Sequence, residues 1–107
     1  MNARYRHVWL MLDPFSGTRA PLGVLVESSA GLEFVHAPAA VHRDLTDRQQ
    51  RVIAWVTADL DTATDFDELP IAVGPHVVAD SPVPLPAALD RPAAWVRTSI
   101  VGRLEAA

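Results

Sequence analysis

The N-terminal third of the chain consists of short apolar-rich segments separated by turn-forming residues. Residues 4–12, 21–28 and 32–36 are rich in aliphatic, β-branched and aromatic side chains, which favour strands. Residues 13–17 and 29–31 separate these segments, and each contains a glycine of the kind that tight turns favour. The pattern therefore predicts a three-stranded antiparallel meander.

Strict alternation along these strands divides their side chains between two faces. The face that we expect to lie in the core carries Val8, Leu10, Leu12, Leu22, Val24, Val26, Leu32 and Phe34. The opposite face carries Trp9, Met11, Leu25 and Val35 and is therefore half apolar. Since a face open to water is normally more polar, we expect a helix of the same chain or a second protein chain to cover it.

A first helix is predicted to begin at Thr46, which has the spacing of a capping box with Gln49. The apolar residues that follow recur at helical spacing and form one stripe: Val52, Ile53, Val56 and Leu60. This amphipathic helix is expected to end near residue 62. Trp55 lies at the edge of the stripe, where we favour a structural role at the rim of the core over a role as an anchor for a partner.

The next segments are expected to be extended. Residues 71–79 are rich in strand-forming side chains, but Gly74 and Pro75 interrupt them, and proline cannot donate to a central ladder. We therefore expect an edge strand or two short pieces. Residues 82–86 alternate proline with apolar residues, which is typical of an extended segment on a surface.

A second helix is predicted over residues 92–105. Asp90 is expected as its N-cap, and Pro92 falls in its first turn. Its apolar stripe consists of Ala93, Val96, Ile100 and Leu104. Trp95 projects away from this stripe, so we expect the helix to make contacts on two sides.

The predicted fold class is α+β. The order β-β-β-α-β-α indicates a small, mostly antiparallel sheet packed with two amphipathic helices. The 107 residues have the length of one domain, and no repeat or linker divides them, so residues 1–107 are expected to form a single domain.

Composition narrows the classes of function. The net charge of −4 has the wrong sign for general attraction to nucleic acid, and the absence of cysteine excludes disulfides and thiolate chemistry. No apolar run approaches the roughly 18 residues of a spanning helix, and the N-terminal run is too short for a signal peptide, so we expect a cytoplasmic protein. All nine basic side chains are arginine, which is typical of a GC-rich bacterial genome.

An acidic segment lies after the first predicted helix and contains Asp59, Asp61, Asp65, Asp67 and Glu68. A calcium loop would need glycine at its sixth position and glutamate at its twelfth, where Thr64 and Pro70 stand. We interpret the segment as a solvated helix end and loop, or as an acidic patch that attracts a basic protein.

Candidate catalytic and metal-binding residues are not apparent. None of His7, His36, His42 and His76 forms a pair at the helical spacing of a zinc site. The serines lie in turns without a nucleophile elbow. We therefore predict no catalytic residue, no metal and no cofactor.

Part of the N-terminal region resembles the small N-terminal subdomain of HipA-type toxin kinases. That subdomain has a G-x-L strand and then an F-x-Y-x-P-like hairpin closed by a leucine. Within residues 8–41, the matching positions are Gly23, Leu25, Phe34 and Pro38, while His36 and Val41 stand for the tyrosine and the leucine. The segment after Val41 departs from the family. In some relatives the subdomain is a separate antitoxin, so the resemblance implies toxin neutralisation.

The leading hypothesis is a non-enzymatic, cytoplasmic protein-binding module that acts as a toxin-neutralising or regulatory subunit. Its partner would be another protein chain, either a different protein or a second copy. The predicted partner-binding residues are Trp9, Met11, Leu25, Val35, Trp95, Asp61, Asp65, Asp67 and Glu68. The alternative is a small enzyme or ligand-binding domain with a pocket between sheet and helices, using Arg6, His7 or Arg19.

Overall fold

An antiparallel sheet with helices on both faces makes up the described part of the chain. The computed structural model describes residues 3–13, 15–67, 77–86, 89 and 91–101. The strands are β1 (Arg4–Asp13), β2 (Thr18–Ser28), β3 (Gly31–His36), β4 (Val77–Ala79) and β5 (Val83–Pro84). The helices are α1 (Asp47–Asp61) and α2 (Pro92–Val96), with a 3-10 turn (Ala39–His42) before α1 and a π-helical turn (Arg97–Val101) after α2. The predicted α+β class and N-terminal meander are confirmed.

The strands are ordered β3-β2-β1-β4, and β5 also pairs with β1. Each of these pairs is antiparallel. β2 begins at Thr18 rather than at residue 21, because its first residues already pair with the end of β1. The predicted strand over 71–79 is described only at β4, since residues 71–76 lie outside the described part of the chain.

A β-bulge in β2 moves side chains to the face opposite the predicted one. Val8 pairs with Gly23 but Trp9 pairs with Pro21, so Leu22 is an extra residue without a partner position. One extra residue shifts the alternation by one from that point onward. Leu22 therefore shares a face with Leu25, and the predicted grouping of Leu22 with Val24 and Val26 is wrong.

The bulge depends on the glycine beside it. Gly23 has a φ of 150°, a conformation that L side chains rarely adopt. A Cβ atom at this position would lie 2.2 Å from the carbonyl oxygen of Val35 in β3. Glycine thus allows β2 and β3 to approach each other where the alternation changes.

One face of the sheet packs against α1, and we call it the α1 face. Its buried cluster consists of Val8, Leu10, Ala20, Leu22, Leu25, Phe34, Ile53, Val56, Leu60 and Phe66.

The predicted capping box at the start of α1 is confirmed: the Gln49 backbone N–H donates to Thr46 Oγ1 at 3.1 Å, and the Thr46 N–H donates to Gln49 Oε1 at 2.9 Å. Trp55 is 62% exposed, so its assignment to the core rim is wrong. The predicted stripe of α1 is confirmed, because Ile53, Val56 and Leu60 are buried and Val52 packs against the same core.

The other face packs against α2, and we call it the α2 face. Its buried cluster consists of Val24, Val26, Val35, Leu85, Val96 and Val101. The π-helical turn places residues five apart on one side of the helix, so Val101 rather than Ile100 follows Val96 into the core.

α2 begins at Pro92, as predicted, but its capping residue differs from the prediction. Its N-cap is Arg91, whose side chain makes no capping hydrogen bond, and Pro92 is its first residue. Asp90, the predicted cap, and residues 102–105 of the predicted helix lie outside the described residues. No helix in the described ranges is long and apolar enough to cross a membrane.

Candidate functional site

The apolar residues predicted to bind a partner do not share one surface. Leu25 lies in the α1-face core and Val35 in the α2-face core, and both are 0% exposed. Trp95 is partly buried and packs against the α2-face core. Because their neighbours in the same chain cover Leu25 and Val35, only Trp9 and Met11 of the four sheet residues retain solvent-accessible surface.

Three aromatic side chains form a row along β1 on the α2 face, and we call Tyr5, His7 and Trp9 the aromatic strip. They occupy alternate positions of the strand and therefore point to the same side. The Tyr5 and His7 ring centroids are 5.9 Å apart in an edge contact, and the His7 and Trp9 centroids are 5.9 Å apart in a stacked one. Each side chain is half-buried.

The indole of Trp9 is fixed by residues from the two neighbouring strands. The Arg19 guanidinium lies 4.4 Å from the ring centroid, which is a cation–π contact. The indole Nε1–H donates to Asp80 Oδ2 at 3.2 Å, and Arg19 Nη1 lies 3.7 Å from Asp80 Oδ1. Since these three groups hold one another, Trp9 is presented in one orientation.

The strip stays partly open because α2 covers the other half of this face. α2 packs on β2 and β3, whereas the strip lies on β1, next to β4. Val78 of β4 pairs with Trp9 and therefore lies beside it on the same face. The sheet thus leaves an aromatic surface edged by Arg19 and Asp80.

The predicted acidic residues are engaged within the chain. Asp61 Oδ1 lies 2.7 Å from Nε2 of His36, and Asp67 Oδ2 accepts from Arg4 Nη2 at 3.2 Å. Asp65 Oδ1 accepts from the Asp67 backbone N–H at 2.9 Å. Glu68 lies outside the described residues. Among the described acids, these contacts favour a structural role for the loop over a free acidic patch.

A buried phenylalanine in this loop was not singled out from the sequence. Phe66 is 1% exposed and lies below two guanidinium groups, with Arg4 at 4.3 Å and Arg6 at 5.5 Å from its ring centroid. Arg6 Nη1 also donates to the Phe66 carbonyl at 3.2 Å. The feature of the sequence that could have identified Phe66 is its position as one large apolar residue among acidic ones. Arg6 consequently lies on the α1 face, so it does not share a pocket with His7 and Arg19.

A cavity of about 270 Å³ lies between β3, the 3-10 turn and α1. It is lined by Leu22, His36, Ala37, Ala39, His42, Gln50, Ile53, Ala54 and Thr57. Its polar side chains already bond within the chain: His42 Nε2 lies 2.6 Å from the Pro21 carbonyl oxygen, and Gln50 donates to the carbonyls of His42 and Leu45. This cavity was not predicted, because its lining residues come from segments that are far apart in the sequence, from Leu22 in β2 to Thr57 in α1.

Comparisons with known proteins give no relative. No family model matches the chain, and no curated protein or solved structure matches it. Within the described residues, no group of three or more potential ligand side chains is placed to hold a metal ion.

Proposed function

We propose that this protein is a non-enzymatic, cytoplasmic protein-binding module whose partner docks on the aromatic strip. The observation that carries the proposal is the half-buried Trp9, held between Arg19 and Asp80. Tryptophan, tyrosine and arginine are the residues most enriched among those that dominate binding energy in protein interfaces. Tyr5 and Trp9 of the strip, together with the Arg19 that contacts Trp9, bring all three residue types together.

The fixed geometry of the strip favours binding. Ordering a side chain at an interface costs roughly 0.5–1.5 kcal/mol, and a side chain that is already ordered avoids most of that cost. Trp9 is ordered by two partners, and His7 and Tyr5 continue the row beside it. Arg19 and Asp80 neutralise each other, so the strip suits an apolar or aromatic segment of the partner rather than a highly charged one.

The partner class follows from the resemblance of residues 8–41 to the HipA-type subdomain. We propose that the partner is a toxin or another enzyme that this protein neutralises or regulates. Identification of the partner as an enzyme of that kind would support this role. A partner of another class would remove the toxin-neutralising role and leave the protein-binding proposal intact.

The first experiment locates the partner on the surface. A photo-crosslinking amino acid is placed at Val78, beside Trp9, and in a control variant at Ala58, which is exposed on α1. Both variants are irradiated in the native cells, and crosslinked proteins are identified by mass spectrometry. We expect one protein to be captured from position 78 and absent from position 58. Capture from position 58 alone would contradict the proposal.

The second experiment measures the contribution of the strip with the purified partner. Arg19→Ala removes the cation above Trp9, and we expect it to weaken binding by about tenfold, the scale of an interface residue with a large contribution. Arg43→Ala is the matched control, because Arg43 is exposed and its one side-chain hydrogen bond among the described residues is to the nearby Ala40 carbonyl. Titration calorimetry compares the two variants, and equal affinities would contradict the proposal.

A second candidate function is ligand binding in the cavity beside His36 and His42. It is favoured by the volume of about 270 Å³ and by two imidazoles in one enclosure. Equilibrium dialysis against a cell metabolite extract, followed by mass spectrometry, tests it with the wild type and with Ala54→Trp, which would fill the cavity. Enrichment of one compound by the wild type alone would support this candidate.

A further inference from the structure

A groove opens between the end of β1 and the first half of α1. Its volume is about 370 Å³, and it is lined by Leu10, Met11, Leu12, Arg48, Gln49 and Val52. The lining is mainly apolar, with one cationic side chain at its edge. Arg48 makes no ion pair with any residue of the described ranges.

A phenylalanine at the tip of the β1–β2 hairpin is 99% exposed. Asp13 orders the turn around it: Oδ1 accepts from the Phe15 N–H at 2.9 Å, and Oδ2 accepts from the Ser16 hydroxyl at 3.0 Å. The Gly17 N–H donates to the Asp13 carbonyl at 3.0 Å, and Gly17 has a φ of 75°. Phe15 is therefore an apolar side chain held in solvent by an ordered turn.

We infer that a second copy of this chain inserts its Phe15 into this groove and receives the first copy's Phe15 in return. A contact about a two-fold axis uses the same surface patch on both subunits, so the inserted side chain and its receptor must belong to one patch. Leu12 lines the groove and Phe15 follows three residues later, so both lie at one end of the sheet. The exposure of Phe15 shows that it does not fill the groove of its own chain.

Size and charge both favour a second copy as the occupant. A phenylalanine buries roughly 150–250 Å² when it enters an apolar site, and the groove of about 370 Å³ is large enough for its ring. The hairpin tip carries the Asp13 carboxylate, while the groove carries Arg48. Each tip therefore brings a negative group to a positive one as its phenylalanine enters.

Trp55 extends the same surface along α1. It lies three residues after Val52 and seven after Arg48, so the three side chains follow one flank of the helix. Its 62% exposure leaves a large apolar area beside the groove. This flank lies on α1, whereas the aromatic strip lies on the face that packs against α2, so the inference does not depend on the proposed function.

The self-association is tested by sedimentation velocity of the purified full chain over about a hundredfold range of concentration. We expect the wild type to shift from monomer to dimer, and Phe15→Ser to remain monomeric across the range. Val83→Ser is the matched control, because Val83 is an exposed apolar residue on β5, outside the groove. A monomeric wild type, or a dimer that Phe15→Ser leaves unchanged, would overturn the inference.

Mixing two variants tests the reciprocal contact directly. Val52→Glu blocks the groove and leaves the tip, whereas Phe15→Ser removes the tip side chain and leaves the groove. Each variant alone lacks either the phenylalanine or the open groove. In the mixture, Phe15 of the Val52→Glu variant can enter the groove of the Phe15→Ser variant, so we expect heterodimers only there. Circular dichroism verifies that both variants fold. A mixture that stays monomeric would count against the exchange. Separately, Arg48→Glu should weaken the dimer, because it reverses the charge that meets Asp13.

Discussion

The two faces of the sheet are built from the same strands but are used differently. The α1 face is covered by a helix of 15 residues with a complete capping box. The loop that follows this helix is held in place by Phe66, whose ring packs below Arg4 and Arg6. The α2 face is covered by a helix of 5 residues without a side-chain cap, continued by a π-helical turn. The first face is occupied by core packing along β1 and β2, while the second leaves the aromatic strip half-buried.

This difference teaches where a small domain can place a binding surface. A long helix buries the strand residues beneath it, and the openings on that side lie at its edges, at the end of β1 and beside β3. A short cover on β2 and β3 stabilises one half of the opposite face and leaves β1 accessible beside β4. The bulge at Leu22 shifts the alternation, so that Leu22 and Leu25 lie on one face and Val24 and Val26 on the other.

The largest expected effect is on the α1 face. Leu25→Glu places a carboxylate at a site that is 0% exposed, and we expect a loss of about 4 kcal/mol or more, enough to unfold a marginally stable domain. Met11→Glu is the matched control, because position 11 is half-buried and a carboxylate introduced there can reach water. Circular dichroism and urea denaturation compare the two. A folded Leu25→Glu variant with an unchanged midpoint would contradict the face assignment.

A matched valine pair sharpens the comparison. Val56→Ala on the α1 face and Val101→Ala on the α2 face remove the same atoms from sites that are 1% and 3% exposed. We expect Val56→Ala to cost about 2–3 kcal/mol and Val101→Ala about 1–2 kcal/mol, because α2 has no side-chain cap and continues as a π-helical turn, so it relaxes more readily around a cavity. Urea denaturation gives both values. A larger loss for Val101→Ala would reverse the ranking of the two faces.

Local signals in the sequence predicted much of the fold and little of the surface. The strand segments, the turn glycines and the Thr46–Gln49 capping box are encoded within a few residues, so the meander and the start of α1 were predictable. The faces were not. One extra residue in β2 moved Leu25 rather than Val24 to the face of Val8, and the π-helical turn added Val101 to the buried core, against which the predicted Ile100 also packs.

The candidate site was predicted only in part for the same reason. Trp9 was identified from its position in β1, but its contacts with Arg19 and Asp80 join residues from three parts of the chain. Phe66 and the His36–Asp61 pair are likewise long-range contacts. Periodicity along one segment carries no information about which distant segment packs against it.

A smaller effect is expected at the helix starts. Thr46→Ala removes the hydroxyl that accepts from the Gln49 N–H, and we expect a loss of about 1 kcal/mol. Arg91→Ala is the counterpart at the start of α2, where no side chain caps the helix, and we expect it to leave the midpoint of urea denaturation almost unchanged. Equal losses at the two positions would mean that the two helices do not differ in capping.

The smallest effect is expected in the hairpin turn, which belongs to neither face. Hydrogen bonds from the Phe15 backbone N–H and the Ser16 hydroxyl lower the pKa of Asp13 below its ordinary value. Because the folded pKa is depressed, the ionised carboxylate stabilises the folded state above the unfolded pKa of about 4, and this contribution is lost as the pH falls through the folded pKa.

Melting temperatures of the wild type and Asp13→Asn are therefore compared between about pH 6 and about pH 2. We expect the wild type to melt at a higher temperature at pH 6 and the difference to shrink toward pH 2, as the Asp13 carboxylate is protonated on passing through its lowered pKa. Asp44→Asn is the control, since the Asp44 carboxylate makes no hydrogen bond or ion pair within the described ranges. A difference that stays constant with pH would mean that the Asp13 charge does not order the turn. Phe15 would then be exposed on a turn held by its backbone alone.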